Sequence, residues 1–182
     1  MTRSCEVRKL GINDVQLIAE IDRSEQVEFE YAVTEGRLVK RPVSMSVLPP
    51  WDPVGAGPYS VAARIAFCQP LVAGGAVLLG AFDGESLCGV AVIHGAFEPP
   101  LAWLAFLHVT RAHRRKGVAS ALWSAAEQVA VDAGAESMYV SSVSTGSAVG
   151  FYRNRGCELA DPVHPHLYAM EPDDIHFVKV LQ

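Results

Sequence analysis

The stretch His113-Arg114-Arg115-Lys116-Gly117-Val118-Ala119-Ser120-Ala121-Leu122, "HRRKGVASAL", decides how this chain is read. Three consecutive cations and a glycine run directly into an apolar segment. Upstream, "LAWLAFLHVT" (101–110) reads as a strand. Downstream, Val118, Leu122, Ala125, Ala126, Val129 and Ala130 recur at helical spacing until Gly134 stops them. The cations therefore sit on a short strand-to-helix loop, with Gly117 where the helix begins. At a helix start the first N–H groups lack partners and the macrodipole is positive, so the spot favours an anion. Gly117 and the small Ala119 let phosphate oxygens approach the backbone closely.

Composition limits what that loop can serve. The chain has 182 residues, half of them apolar and 19% charged, which suits one sizeable core and is short for two. Residues 1–182 are thus expected to form a single domain. A formal charge of −5 argues against general binding to a nucleic-acid backbone, which needs a broad positive field. Cys5, Cys68, Cys88 and Cys157 form no CxxC pair and suggest neither a zinc site nor a redox dithiol. No apolar run approaches the ~20 residues of a membrane span, and no signal-peptide h-region is seen. A cytoplasmic setting with no membrane or nucleic-acid partner is expected.

Other elements follow from patterning. "CEVRKL" is a short strand, and Asn13 or Asp14 is placed to cap a helix running to about Asp22. Glu35-Gly36 divides two alternating runs as in a hairpin. Five prolines from Pro42 to Pro58, with Trp51 among them, predict an ordered loop that the tryptophan packs down. "YSVAARIAFCQPL" is a helix ended by Pro70 and "AGG". Strands at 76–82, 87–97 and 101–110 form an antiparallel meander. "SMYVSSV" (137–143) is a further strand, "SAVGFYRNR" a short helix ended by Gly156, and "CELA" and "DIHFVKVL" two last strands. The class is α/β or α+β with a mixed sheet. A P-loop fails because Lys116 precedes Gly117, and no G-x-G-x-x-G occurs at this strand end.

The run from Phe106 to Leu159 resembles the GNAT superfamily of acyl-CoA-dependent N-acyltransferases. Leu107 and Val109 match its L-x-V strand end, Arg114, Gly117 and Ala119 its Q/R-x-x-G-x-G/A loop, and Ala148, Phe151, Tyr152 and Gly156 its A-x-x-F-Y-x-x-x-G motif. The likeness spans about residues 76 to 160. It implies a central, mostly antiparallel sheet of six to seven strands, splayed at strand 101–110 and flanked by helices. Residues 31–70 are then an inserted hairpin, loop and helix near the acceptor site.

The resemblance also implies chemistry. Acetyl-CoA is the expected cosubstrate, with no metal. Leu107, His108 and Val109 would contact the pantetheine arm through their backbone. Arg114, Arg115, Lys116, Gly117, Val118, Ala119 and Ser120 would hold the pyrophosphate, and an N–H near Val109 would polarise the thioester carbonyl. Tyr152 would return a proton to the departing thiolate. Arg155, one turn later, is in reach of a nucleotide phosphate. Two positions depart from the pattern. Thr145 stands where relatives often carry asparagine, and Trp103 where some carry a catalytic glutamate. His94, Glu98 and His108 are the side chains considered as base or substrate contact. His164, His166, His176, Asp173 and Asp174 match no standard metal spacing. "TRAHRRKGVA" is similar to streptothricin-modifying relatives, but one loop does not transfer a substrate. Asp22, Glu25, Glu28, Glu30 and Glu35 would suit a cationic amine. The acceptor is expected to be a primary amine of a small molecule or peptide. A homodimer is one assembly the reading admits. Its alternative is a non-catalytic acyl-CoA sensor of the same fold.

Overall fold

The computed structural model describes residues 5–43 and 46–181. Its centre is a seven-stranded sheet built from β1 (Glu6–Leu10), β6 (Val77–Asp83), β7 (Ser86–Glu98), β8 (Leu101–Val109), β9 (Ser137–Ser142), β11 (Ile175–Val180) and β10 (Glu158–Leu159), in that spatial order. All neighbours are antiparallel except β8 and β9. This parallel pair needs a crossover, and α2 (Val118–Asp132) supplies it.

The helices follow from apolar spacing. Leu122, Trp123, Ala126 and Ala130 of α2 are fully buried against Leu79, Ala81, Ile93, Ala102 and Leu104 on one sheet face. The other face is covered by a 3-10 helix (Ile12–Glu20) and by α1 (Val61–Ala73), through Val15, Ile18 and Cys68 packed on Leu78, Val90, Val92 and Phe106. α3 (Gly146–Asn154) leads from β9 toward the far edge of the sheet.

Several expectations need correction. The first helix is 3-10 and begins after Gly11; Asp14 lies inside it and reaches back to accept the Gly11 N–H at 2.8 Å. α1 runs through Pro70 to Ala73, because a proline in the last turn costs only one main-chain bond; Gly75, at φ +105°, then turns the chain away. Sequence patterning missed α4 (Pro165–Met170), which His164 caps through its Nδ1, and a two-residue pair between β2 (Glu25–Gln26) and β5 (Val47–Leu48). The hairpin of β3 (Glu30–Thr34) and β4 (Arg37–Arg41) forms as expected, with Glu35 and Gly36 both at positive φ. It docks on the loop before α3, where Tyr31 N–H donates to Ser144 O and Gly146 N–H to Phe29 O. A side chain on Gly146 would meet the Phe29 ring at 2.5 Å, so only glycine admits this contact.

Two irregularities of β8 create the cleft. Its pairing with β9 stops at Leu104↔Val140, so Ala105 to Val109 diverge from Ser141 and Ser142. On its other side the register with β7 jumps from Ile93↔Leu104 to Val92↔Phe106, leaving Ala105 as a bulge. A bulge bends the strand and re-aims the side chains beyond it. Leu104 joins the core under α2, whereas Phe106 joins the core under α1.

Candidate active site

Beyond the bulge, Gly89↔Val109 and Ala91↔Leu107 face each other across β7 and β8. Thr110 N–H donates to Cys88 O, which makes Gly89 and Val109 a non-hydrogen-bonded pair. The N–H and C=O of Val109, and by the two-residue period those of Leu107, therefore face the splay. His108 is turned the other way. Its backbone belongs to the β7 ladder, and it offers the splay its side chain.

The splay opens a cleft of about 500 Å3. Leu107, His108 and Val109 line it from β8, and Gly117, Val118, Ala119 and Ser120 from the start of α2. Gly117 stands before the helix at φ +84°, a left-handed conformation, with nothing within 4 Å of where a Cβ would project. The first main-chain bond of α2 runs from Ala121 N–H to Gly117 O at 3.0 Å. The amides of Val118, Ala119 and Ser120 precede it and have no intrahelical acceptor. Arg115, itself at φ +59°, also lines the cleft. This is a cradle of open amides at a positive helix end, the arrangement an anion requires.

Arg114 differs from expectation. Its guanidinium turns inward, with Nε donating to Val109 O at 3.2 Å, Nη2 to Arg23 O at 2.6 Å, and Nη1 lying 3.5 Å from the Glu25 carboxylate. These bonds tie the end of β8 to the segment after the first helix, so Arg114 is a clamp whose charge is already matched. Lys116 is exposed and outside the lining. Arg155 lies over the Phe151 ring at 5.3 Å and hydrogen-bonds the Ser120 hydroxyl, bracing α3 against the start of α2. Thr145 is buried, and its hydroxyl caps α3 by accepting the Ala148 N–H at 3.4 Å.

Tyr152 is 7% exposed and lines the cleft. Its ring sits among Trp123, Phe151 and Phe177. Burial pushes the phenol pKa above its ordinary value, and the charges of Asp174 and Glu171, among others, add to the rise. Both carboxylates line the same cleft. Burial, and then the neighbouring Glu171 and Asp173, push the Asp174 carboxyl up to about 7. Spacing arguments set Asp174 aside because it matched no metal site. Its place at the cleft wall becomes visible only when β11 is seen next to α3.

The three candidate bases fare differently. His94 pairs with Trp103 across β7 and β8 and packs on Phe97, outside the cleft lining. Glu98 is also outside it, 3.1 Å from His164 Nε2. These two are corrected: the end of the meander carries them to the α4 side of the molecule. His108 does line the cleft, but burial first, then the charges of Arg23, Arg64 and Arg114, push its pKa down to about 3. It is a neutral ring at physiological pH. Trp103 is buried with Tyr139 and Leu167. Two of the acidic N-terminal residues are committed: Asp22 accepts the Ser24 N–H, and Glu25 is bound by Arg114 and by the Ser147 hydroxyl. Trp51 packs down as expected, 4% exposed against Phe106 and His108, and one side of it still faces the cleft.

Residues 47–157 match the model of the acetyltransferase (GNAT) family. The chain belongs to this family. As a GNAT protein it is an acetyl-CoA-dependent acyltransferase. Solved structures share the fold. A nourseothricin acetyltransferase superposes with a TM-score of 0.72 at 19% identity, covering 98% of this chain and 99% of the other. A proposed streptothricin acetyltransferase from Bacillus anthracis, solved with acetyl coenzyme A, gives 0.72 at 16% identity over the same shares. The PaiA N-acetyltransferase from Thermoplasma acidophilum, solved with coenzyme A, gives 0.63 at 17% identity over 97% and 99%. No curated protein sequence matches the chain. No described helix is long and apolar enough to cross a membrane.

Proposed function

We propose that this GNAT protein transfers an acetyl group from acetyl-CoA to a primary amine by direct attack in a ternary complex. The observation that carries the reading is one continuous cleft holding open amides at the start of α2, the freed β8 edge and the Tyr152 phenol. The amides of Val118, Ala119 and Ser120 receive the pyrophosphate. Leu107 and Val109 hold the pantetheine amides by strand-like pairing, and the Val109 N–H stabilises the oxyanion as it forms.

The amine nitrogen bonds to the thioester carbon, and the carbon–sulfur bond breaks as the tetrahedral intermediate collapses. Tyr152 gives its phenolic proton to the leaving sulfur, and the proton the nitrogen sheds on becoming an amide restores the phenol. A thiol has a pKa of ~8.5 and a phenol ~10 in water. The burial that raises Tyr152 acts equally on a thiolate born beside it, so their relative acidity is kept. An amine of pKa ~10.4 must first lose a proton. Asp174 is matched to that step, because a carboxylate near 7 takes a proton and releases it again at neutral pH. His108 is not, since its ring does not protonate there.

An amine library incubated with acetyl-CoA, followed by thiol release and product mass, tests the reading. One or more amines gaining an acetyl group, with Tyr152→Phe defective in transfer but still binding acetyl-CoA, supports it. Tight acetyl-CoA binding with no amine acetylated would favour a sensor of the same fold.

A further inference from the structure

The cleft wall facing α1 carries two guanidinium groups that, among the described residues, form no ion pair. Arg23 is 8% exposed, and its Nε is buried with no hydrogen-bond partner. Its guanidinium lies 5.7 Å from the ring centres of both Trp51 and Tyr59. Arg64, from α1, donates from Nη2 to Pro58 O at 2.8 Å, and its Nε is likewise buried and unpartnered. Among the described residues, no carboxylate lies within ion-pair distance of either. Burial first, then the Arg64 charge, lowers the pKa of Arg23. A buried guanidinium beside a second, half-buried one is costly unless an anion completes them. Both are pre-positioned, one by aromatic faces and one by a carbonyl, and both line the cleft beside Trp51, Phe67 and Phe106.

We propose that the acceptor carries a carboxylate in addition to its amine, and that Arg23 and Arg64 bind this carboxylate. The inference rests on the N-acetyltransferase reading above and names its substrate class: amino acids, or peptides with a free carboxyl end. The planar guanidinium fork matches a carboxylate's two oxygens. The other pole of the cleft fits the amine. Glu171 and Asp174 lie there, close enough for their charges to act on Tyr152, and the Arg64 charge in turn acts on Asp174. A dipolar acceptor laid between the poles brings its nitrogen toward Tyr152 and its carboxylate toward α1. The aromatic side chains between them suit an apolar body. A phosphate of the cosubstrate is the other source of an anion. The open amides that suit it lie at α2, whereas Arg23 and Arg64 belong to the wall packed on α1.

The test compares matched acceptors that share an amine and differ in the carboxylate: the amino-acid library, the corresponding amides, and the corresponding amines lacking the carboxyl carbon. The full-length protein should acetylate acids with a kcat/KM about ten- to a hundredfold above their amides, the range expected for a lost charge-assisted pair. Arg64→Gln and Arg23→Gln should raise KM for the acid by a similar factor beyond any change for its amide, so that the preference for acid over amide is lost, and keep KM for acetyl-CoA within about twofold. Arg64→Lys, which retains charge and fold but not the fork, should recover part of the loss. Amides acetylated as well as acids would overturn the proposal and leave the acetyltransferase reading standing. A raised KM for acetyl-CoA alone would also overturn it, by assigning the arginines to a cosubstrate phosphate. Failure to bind acetyl-CoA at all, measured by calorimetry on the unaltered protein, would instead remove the reading beneath it.

Discussion

Holding the His108 ring neutral makes the stability of the folded protein depend on pH. Its pKa is about 3 in the folded protein, against an ordinary 6.5. Protonation therefore favours the unfolded chain. The stability associated with the neutral ring is fully present above pH 6.5 and is lost as pH falls toward 3. At pH 5 the unfolded histidine lies about 1.5 units below its pKa, so the loss relative to pH 7.5 is ~2 kcal/mol. Asp174 works in the opposite direction. Its folded pKa is about 7 and its ordinary value 3.8, so its contribution is fully present below 3.8 and is lost as pH rises through 7. Between pH 7.5 and 5 it adds up to ~2 kcal/mol, discounted because the carboxylate is partly exposed. In the unaltered protein the two nearly cancel. Urea unfolding at pH 7.5 and 5.0 and constant ionic strength should separate them. His108→Gln should gain ~2 kcal/mol more than the unaltered protein on acidification, and Asp174→Asn should lose about that much relative to it. Other carboxylates contribute alike to all three and drop out. Equal pH slopes for His108→Gln and the unaltered protein would refute the argument that three guanidiniums and burial hold this ring neutral.

Further outcomes are expected. Tyr152→Phe should lower kcat for acetyl transfer by about 10²- to 10⁴-fold, the range of general acid catalysis, with acetyl-CoA affinity by calorimetry nearly unchanged. Gly117→Ala should cost ~1–2 kcal/mol of stability through its left-handed φ, read by urea unfolding. It should also weaken acetyl-CoA binding, because the cradle's backbone must shift. Arg114→Ala should unfold at lower urea by ~1–3 kcal/mol, since it leaves the Val109 and Arg23 carbonyls without their donor. A phosphate-binding arginine would instead affect acetyl-CoA binding and spare stability.

The meander, the α2 crossover and the short helix bearing Tyr152 were legible in the sequence because each rests on local signals: alternating strands, an apolar helix period and glycine stops. The cradle was legible for the same reason, since strand, loop and helix start are contiguous. What patterning misread depends on contacts far apart in sequence. Arg114 reads in the sequence as a pyrophosphate contact, yet two of its three partners, Arg23 and Glu25, lie some ninety positions earlier. His94 and Glu98 read as possible base or substrate contacts, but a strand of 13 residues carries them out of the cleft lining. Asp174 and Arg64 reach one cleft from positions 110 residues apart. No local spacing encodes such a meeting.

The bulge at Ala105 links these observations. Without it, the two-residue period would hold Phe106 on the Leu104 face, and the side chains of β8 would not change walls. With it, Phe106 and His108 turn toward Trp51 and the arginines, while Leu107 and Val109 turn their backbone to the splay. One inserted residue thus divides a single strand into a backbone edge and a side-chain wall, which under the proposed function take the cosubstrate and the acceptor respectively. Arg114 then fixes both at once, holding Val109 from one side and Arg23 from the other. The cations that first drew notice in the sequence therefore have separate tasks. Arg115 lines the cleft and Lys116 stays in solvent, while Arg114 ties the end of β8 to the main chain at Arg23.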